Sequence, residues 1–336
     1  MRKVVPLVVL LILSLGVSPS SGMVMMSEAL LFDGGNAMDY LLEQCDFGPR
    51  PPGSDNLSQC RDYLVGILET GQWNVTLQSF NYRETECVNI IANWGLDTQP
   101  RFILGAHYDT RPVADRDPAV ENRSKPILGA NDGASGVAVL LELSRVIPES
   151  SRSAIEIVLF DAEDSGNVDG WDWIVGSEYY VDQLPPTKAS GLSGMILVDM
   201  VGDADLRLER ELTSTDSLQD AVWALAAELG HDDKFLDVSG GSILDDHRPF
   251  LDAQIPALDI IQHSPFPWYW HTLEDTPDKC SAGSLEAVGT VLESFLVNRS
   301  DETYPVDPFS SDFIFYVVLL VPPLVIIAVI VYRRRQ

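Results

Sequence analysis

Ile155-Glu156-Ile157-Val158-Leu159-Phe160-Asp161-Ala162-Glu163-Asp164 is the stretch that decides the fold class. Its first six residues are short and almost continuously apolar, the pattern of a strand buried on both faces. Three carboxylates then follow within four positions, and acids crowded at the end of a buried strand repel one another unless a cation is present. Four more runs read as strands: Val88 to Trp94, Phe102 to Ala106, Met195 to Val201 and Ala257 to Ile261. Apolar residues at helical spacing mark residues 57–71, 134–147, 175–184, 216–229 and 283–297. Strands alternating with helices of this length predict a three-layer α/β domain, with a mixed and mostly parallel central sheet flanked by helices.

In open α/β sheets ligands gather beyond the carboxyl ends of the strands. His107 ends the run Phe102 to Ala106, and Glu163 and Asp164 follow Phe160. Asp199 lies near the end of Met195 to Val201, and His271 lies in the loop after Ala257 to Ile261. Four separate elements thus deliver ligand-type side chains to one edge of the sheet. Asp132 joins them from Gly129 to Gly136 (GANDGASG), which opens a helix, and Asn131 or Asp132 there also qualifies as its N-cap. Asp109 is two residues from His107, on the same side of an extended chain, where it could orient the imidazole. Asp199 inside an apolar strand is costly to bury unpaired. Imidazole and carboxylate suit Zn²⁺, which takes three protein ligands in catalytic sites and keeps a position open. The pair Glu163-Asp164 lets one carboxylate hold the metal while the other moves protons. The chain reads as a zinc enzyme.

The two ends carry different signals. Residues 1–22 pair Arg2-Lys3 with an apolar run too short for a full span and a small-residue stretch, as in a secretory signal. Residues 313–332 carry no charge and precede Arg333 to Arg335. At 1.5 Å per residue such a segment covers roughly the 30 Å hydrocarbon core, and the basic cluster stays cytoplasmic. The expectation is a single-pass protein of the cell membrane. Its catalytic domain, 23–300, would face outward, followed by a linker, 301–312, the span, and a cytoplasmic tail, 333–336.

Charge narrows the ligands. The chain carries 22 basic and 50 acidic residues; five of the basic ones lie in the end segments, which hold no acid, so the rest has 17 against 50, or −33. That balance argues against nucleic acid and anionic membrane surfaces as ligands. Four cysteines, Cys45, Cys60, Cys87 and Cys280, allow three pairings. Cys45–Cys60 is favoured because the Pro/Gly-rich turn Gly48 to Gly53 lies between them. Sequons at Asn56, Asn74, Asn122 and Asn298 are compatible with a glycosylated exterior.

HYDT (107–110), GANDGASG (129–136), FDAED (160–164), VDMVGD (198–203) and WHTLEDTPD (270–278) occur in this order. Together they resemble the metal-site blocks of the zinc-dependent exopeptidase family that includes bacterial aminopeptidases and animal-type glutaminyl cyclases, over residues 40–298. DDHRPFL (245–251) and SPFPWYWHT (264–272) are similar to stretches of the cyclase branch. The resemblance implies Asp132, Asp164 and His271 as ligands of a first zinc. It implies His107, Asp132 and Asp199 as ligands of a second in an aminopeptidase, whereas a cyclase would use one. It further implies Glu163 as proton carrier, networked with Asp199 and Asp245. Phe266, Trp270 and one of Trp171 and Trp173 would line the pocket for peptide or protein N-termini. Cyclases usually carry Glu-Glu where this chain has Glu163-Asp164, so the reach of the ligand is shorter here. The resemblance implies conversion of N-terminal Gln to pyroglutamate, with metallo-aminopeptidase activity as the alternative and an inactive ectodomain as a third reading. Oligomeric state is not legible.

Overall fold

The computed structural model describes residues 29–95, 99–299 and 302–305. The expected signal, span and cytoplasmic tail lie outside these residues, and no described helix is long and apolar enough to cross a membrane.

Eight strands are present among the described residues: β1 Asn74–Tyr82, β2 Thr85–Asn93, β3 Phe102–His107, β4 Ile155–Phe160, β5 Gly194–Asp199, β6 Leu208–Glu211, β7 Phe235–Gly241 and β8 Ala257–Ile261. Six form one sheet in the order β1-β2-β4-β3-β5-β8. β4, β3, β5 and β8 run parallel, while β1 and β2 add an antiparallel hairpin at one edge. The helices are α1 Gly34–Asp46, α2 Asp55–Thr70, α3 Ala134–Val146, α4 Glu149–Arg152, α5 Val175–Asp182, α6 Pro186–Ala189, α7 Asp216–Glu228, α8 Arg248–Asp252 and α9 Ala282–Asn298. The mixed, mostly parallel sheet with helices on both faces is as expected.

Period-two alternation along the buried strands assigns each side chain to one of two cores. Phe102, Leu104, Ile157, Leu159, Ile196, Val198, Leu258 and Ile260 pack with α1, α2, α3, α7 and α9. Ile103, Val158, Phe160, Met195 and Leu197 turn the other way, onto Tyr180 of α5 and Phe250 of α8. α3 is buried on nearly every side. It lies so close to β5 that a Cβ at Gly136 would sit 2.0 Å from the Val198 carbonyl oxygen, so only glycine fits. This approach sets the start of α3, and Asp132 with it, over the carboxyl ends of β3 and β5.

Four features depart from the sequence reading. β1 gives no strand signal, because apart from buried Phe80 its residues are exposed or half-buried and leave no sustained apolar alternation. α1 was hidden by Gly34 and Gly35; Asp33 caps it, its carboxylate accepting from the Gly35 and Asn36 N–H groups. β6 and β7 form a separate parallel pair. The fourth is a correction: Cys45, Cys60, Cys87 and Cys280 are all buried free thiols, with no Cys45–Cys60 disulfide. Cys45, Cys60 and Cys280 fill the larger core as small apolar groups. Burial pushes the Cys45 thiol up to about 12 and the Cys60 thiol up to about 11. The turn between α1 and α2 is fixed instead by buried Arg50, whose guanidinium donates to carbonyls of Gln44, Gly48, Tyr108, Leu128 and Gly129.

β6 matters to the site through Glu211. Its buried carboxylate accepts from the Thr213, Ser214 and Ile243 N–H groups at 2.8, 2.6 and 3.2 Å, and His247 Nε2 lies 3.5 Å away. It thereby fixes the start of the loop that carries Asp245. Burial alone would raise its pKa; His247 first, then these donors, bring it from 4.5 to about 2. A depressed folded value means stability present above about pH 4.5 and lost as pH falls toward 2, on the order of 3 kcal/mol. Urea unfolding across that window should show this loss. Glu211→Gln should be destabilised at pH 7 and lose less stability on acidification.

Candidate metal centre

The parallel strands end around a pocket of about 240 Å³. His107, the last residue of β3, is buried, with Nε2 3.1 Å from Asp199 Oδ1 and 3.3 Å from Asp132 Oδ1. His271 Nε2 lies 3.3 Å from Asp164 Oδ1 and 3.5 Å from Asp132 Oδ2. Asp132 therefore stands between the imidazoles, one oxygen toward each. Two groups emerge whose ligand-type atoms all lie within 4.8 Å of one another: His107, Asp132 and Asp199, and Asp132, Asp164 and His271. Asp132 Oδ2 and Asp164 Oδ2 are buried without a hydrogen-bond partner. Buried carboxylate oxygens without a partner carry a desolvation cost that a divalent cation would remove. Both groups fit such an ion in number and chemistry of donors.

Backbone geometry sets these side chains. Neither Asn131 nor Asp132 caps α3; that place falls to Gly133, at φ +112°. A Cβ there would meet the Asp109 carbonyl oxygen at 2.5 Å. The Asp275 carboxylate accepts from the Asn131 and Asp132 N–H groups at 2.8 and 3.1 Å, which aims Asp132 inward. Asp109 has a wider role than its spacing suggested. It faces His107 Nδ1 at 3.6 Å and also accepts from the Glu163 and Asp164 N–H groups at 3.1 and 3.3 Å. Ala162, Met200 and His271 adopt φ values of +60°, +47° and +55°. Such left-handed non-glycine residues cost on the order of 1–3 kcal/mol each and cluster where a site over-determines them.

The acids share one electrostatic problem. Burial pushes Glu163 well above the carboxylate range; His107 opposes this, while Asp164 and Asp245 add to it. Asp245 is raised by burial and then by Asp199, and Asp199 is itself raised by burial. Burial favours neutral histidine, yet Asp199, Asp109 and Asp132 hold His107 well above its ordinary value. His271 rises to about 9 against its own burial, chiefly through Asp164. Burial and crowding of like charges both oppose ionisation of these carboxyls, and the same carboxylates favour charged imidazoles.

The walls are aromatic. Phe266 stacks on Trp270 at 3.9 Å with 5° between planes, and Trp270 stacks on His271 at 3.8 Å. Trp173 lies nearly parallel to His271 on another side at 6.2 Å. Trp173, Phe266 and Trp270 line the pocket, together with Ile243, Leu244, Glu163 and Asp245. Trp171 does not: it packs edge-on against Tyr82 beside the β1–β2 hairpin, in a satellite cluster with Phe80 and Val175. In an irregular loop two residues apart need not share a side, so sequence could not choose between the tryptophans. Arg111 and Asp115, for which the sequence suggested no role, touch Asp164 and His271 respectively. Their only signal was proximity to HYDT in the chain.

Comparison with known proteins accords with this geometry. The model of peptidase family M28 matches residues 89–296, more than half of the chain, which belongs to that family. A glutaminyl-peptide cyclotransferase of Drosophila melanogaster is 25% identical over 281 residues, covering 74% of this chain and 76% of that protein. The glutaminyl cyclase structure of Bacteroides thetaiotaomicron has a TM-score of 0.74 at 35% identity, covering 80% of this chain and 98% of that one. A Zn-dependent exopeptidase structure from Parabacteroides distasonis also has a TM-score of 0.74, at 31% identity, covering 81% and 100%. The fold and site thus define a metal-dependent enzyme of the M28 family, whose relatives include both cyclotransferases and peptidases.

Since Asp132 belongs to both candidate groups, Asp132→Ala should bring bound zinc close to none. His107→Ala should spare the group that holds His271, and Asp164→Ala the group that holds His107. Metal analysis of the purified variants reads this directly, and full zinc retention by Asp132→Ala would contradict the shared geometry.

Proposed function

We propose that the protein is a zinc-dependent glutaminyl-peptide cyclotransferase. The observation that carries this reading is the slot formed by Phe266, Trp270 and Trp173 above the acids, whose flat walls suit an uncharged planar amide. Asp132, Asp164 and His271 would hold zinc, which when bound supplies a Lewis acid for the γ-carbonyl of an N-terminal Gln. The α-amine nitrogen attacks that carbon and the C–N bond to the side-chain nitrogen breaks, leaving a lactam and ammonia. Glu163 takes the proton from the α-amine and returns it to the departing nitrogen. Its backbone is pinned by Asp109 and by the Ile174 N–H donated to its carbonyl, so the carboxylate is held at the pocket floor. Asp199 and Asp245 line the same pocket beside it. The aromatic walls exclude water, which would otherwise compete with the amine.

The second group of ligand-type atoms, His107, Asp132 and Asp199, favours a second reading, a two-zinc aminopeptidase in which Glu163 deprotonates water. One Gln-Ala peptide separates the two readings. Release of ammonia with the chain intact supports the cyclase, and free Gln, with other N-terminal residues also released, supports the peptidase. Under either reading Glu163→Gln should keep its zinc and lose about 10²–10⁴-fold in turnover.

The membrane anchor at 313–332 and outward-facing body remain part of the proposal on sequence grounds. Tyr304 is buried against Phe102 and Phe295 at the amino-terminal end of β3.

A further inference from the structure

We propose that Arg111 and Asp115 act as one positioning unit, tying together the metal ligands Asp164 and His271 and setting the affinity of the ion they hold. The inference rests on the metal-holding role of Asp132, Asp164 and His271. The two ligands come from different loops, one after β4 and the other after β8, and no direct covalent or strand pairing fixes their separation.

Arg111 is almost fully buried. Its Nε and Nη2 donate to the two Asp115 carboxylate oxygens at 2.8 and 2.9 Å, a forked pairing. Its Nη1 donates to both the carboxylate and the carbonyl oxygen of Asp164, each at 3.2 Å, and Nη2 reaches the Gly166 carbonyl at 3.4 Å. The guanidinium also lies 4.8 Å above the Trp173 ring, whose plane is nearly parallel to the His271 imidazole. From the other side, Asp115 Oδ1 faces His271 Nδ1 at 3.5 Å, while His271 Nε2 points to Asp132 and Asp164. A carboxylate on Nδ1 fixes the tautomer that leaves Nε2 free as a ligand.

The backbone of the same loop reinforces the tie. The Arg116 N–H donates to the His271 carbonyl at 3.1 Å, and the Asp117 carboxylate accepts from the Leu273 N–H at 3.1 Å. Residues 111–117 therefore strap the loop that holds His271 in its left-handed conformation. Asp164 is a short ligand side chain, and a guanidinium clasping both its carboxylate and its own carbonyl fixes where that carboxylate can reach. His107 is oriented by a different carboxylate, Asp109, which faces its Nδ1 at 3.6 Å. The strap thus serves one of the two candidate groups and leaves the other untouched.

The test is the zinc affinity of the full-length chain, measured by competition with a chromophoric chelator. The variants are Asp115→Ala, Arg111→Ala and the double substitution, with circular dichroism to confirm folding. Asp115 is partly exposed, so its variant carries the test if Arg111→Ala fails to fold. Each single substitution should weaken the zinc affinity by about 10–100-fold. The double variant should fall within about twofold of the worse single one, because the residues act as a unit. Single variants that bind zinc as tightly as the parent, or losses that multiply in the double variant, would overturn the proposal while leaving the metal reading intact. A parent chain that binds no zinc would overturn both.

Discussion

Negative charge without solvent is the constraint on which the rest of this structure depends. Asp132, Glu163, Asp164, Asp199 and Asp245 are buried around one pocket, and the cationic partners that touch them among the described residues include His107, His271 and the Arg111 guanidinium. Such a cluster is tolerable only if protons or a cation balance it. The raised pKa values of Glu163, Asp199 and Asp245 describe the first solution, and the orphaned oxygens of Asp132 and Asp164 point to the second. The adjacent placement of Glu163 and Asp164 belongs to the same crowding.

The sheet makes this crowding possible. Four parallel strands with apolar side chains on both faces form a stiff platform, and its carboxyl edge is the one place where polar groups from different strands meet. α3 is pressed onto β5 at Gly136, and carboxylates of Asp109 and Asp275 hold the backbones that present the ligands. These carboxylates are not themselves members of the candidate metal groups. Left-handed backbone at Ala162, Met200 and His271 falls at the same edge. The aromatic stack Phe266–Trp270–His271 continues the same arrangement outward, joining the imidazole of a candidate metal group to the wall of the pocket.

Much of this was legible in the sequence, for a physical reason. A buried parallel strand must be almost wholly apolar, so acids and histidines at the ends of such runs stand out, and all six candidate residues from His107 to His271 meet at one edge. What escaped the reading falls into other classes. β1 and β7 are largely exposed and carry no apolar period. Arg50 and Arg111 sit in segments that look solvent-facing, yet carbonyl oxygens and carboxylates let both be buried. The Cys45–Cys60 expectation failed because spacing reports neither thiol direction nor the core each thiol fills. Trp171 and Trp173 differ only in which way an irregular loop turns.

The most direct test of the account is anomalous diffraction at the zinc edge from crystals of the metal-loaded protein. The account predicts a peak bounded by Asp132, Asp164 and His271, with ligand distances of about 2.0–2.2 Å. A zinc bound elsewhere, or zinc-loaded protein showing no peak among these three residues, would contradict it.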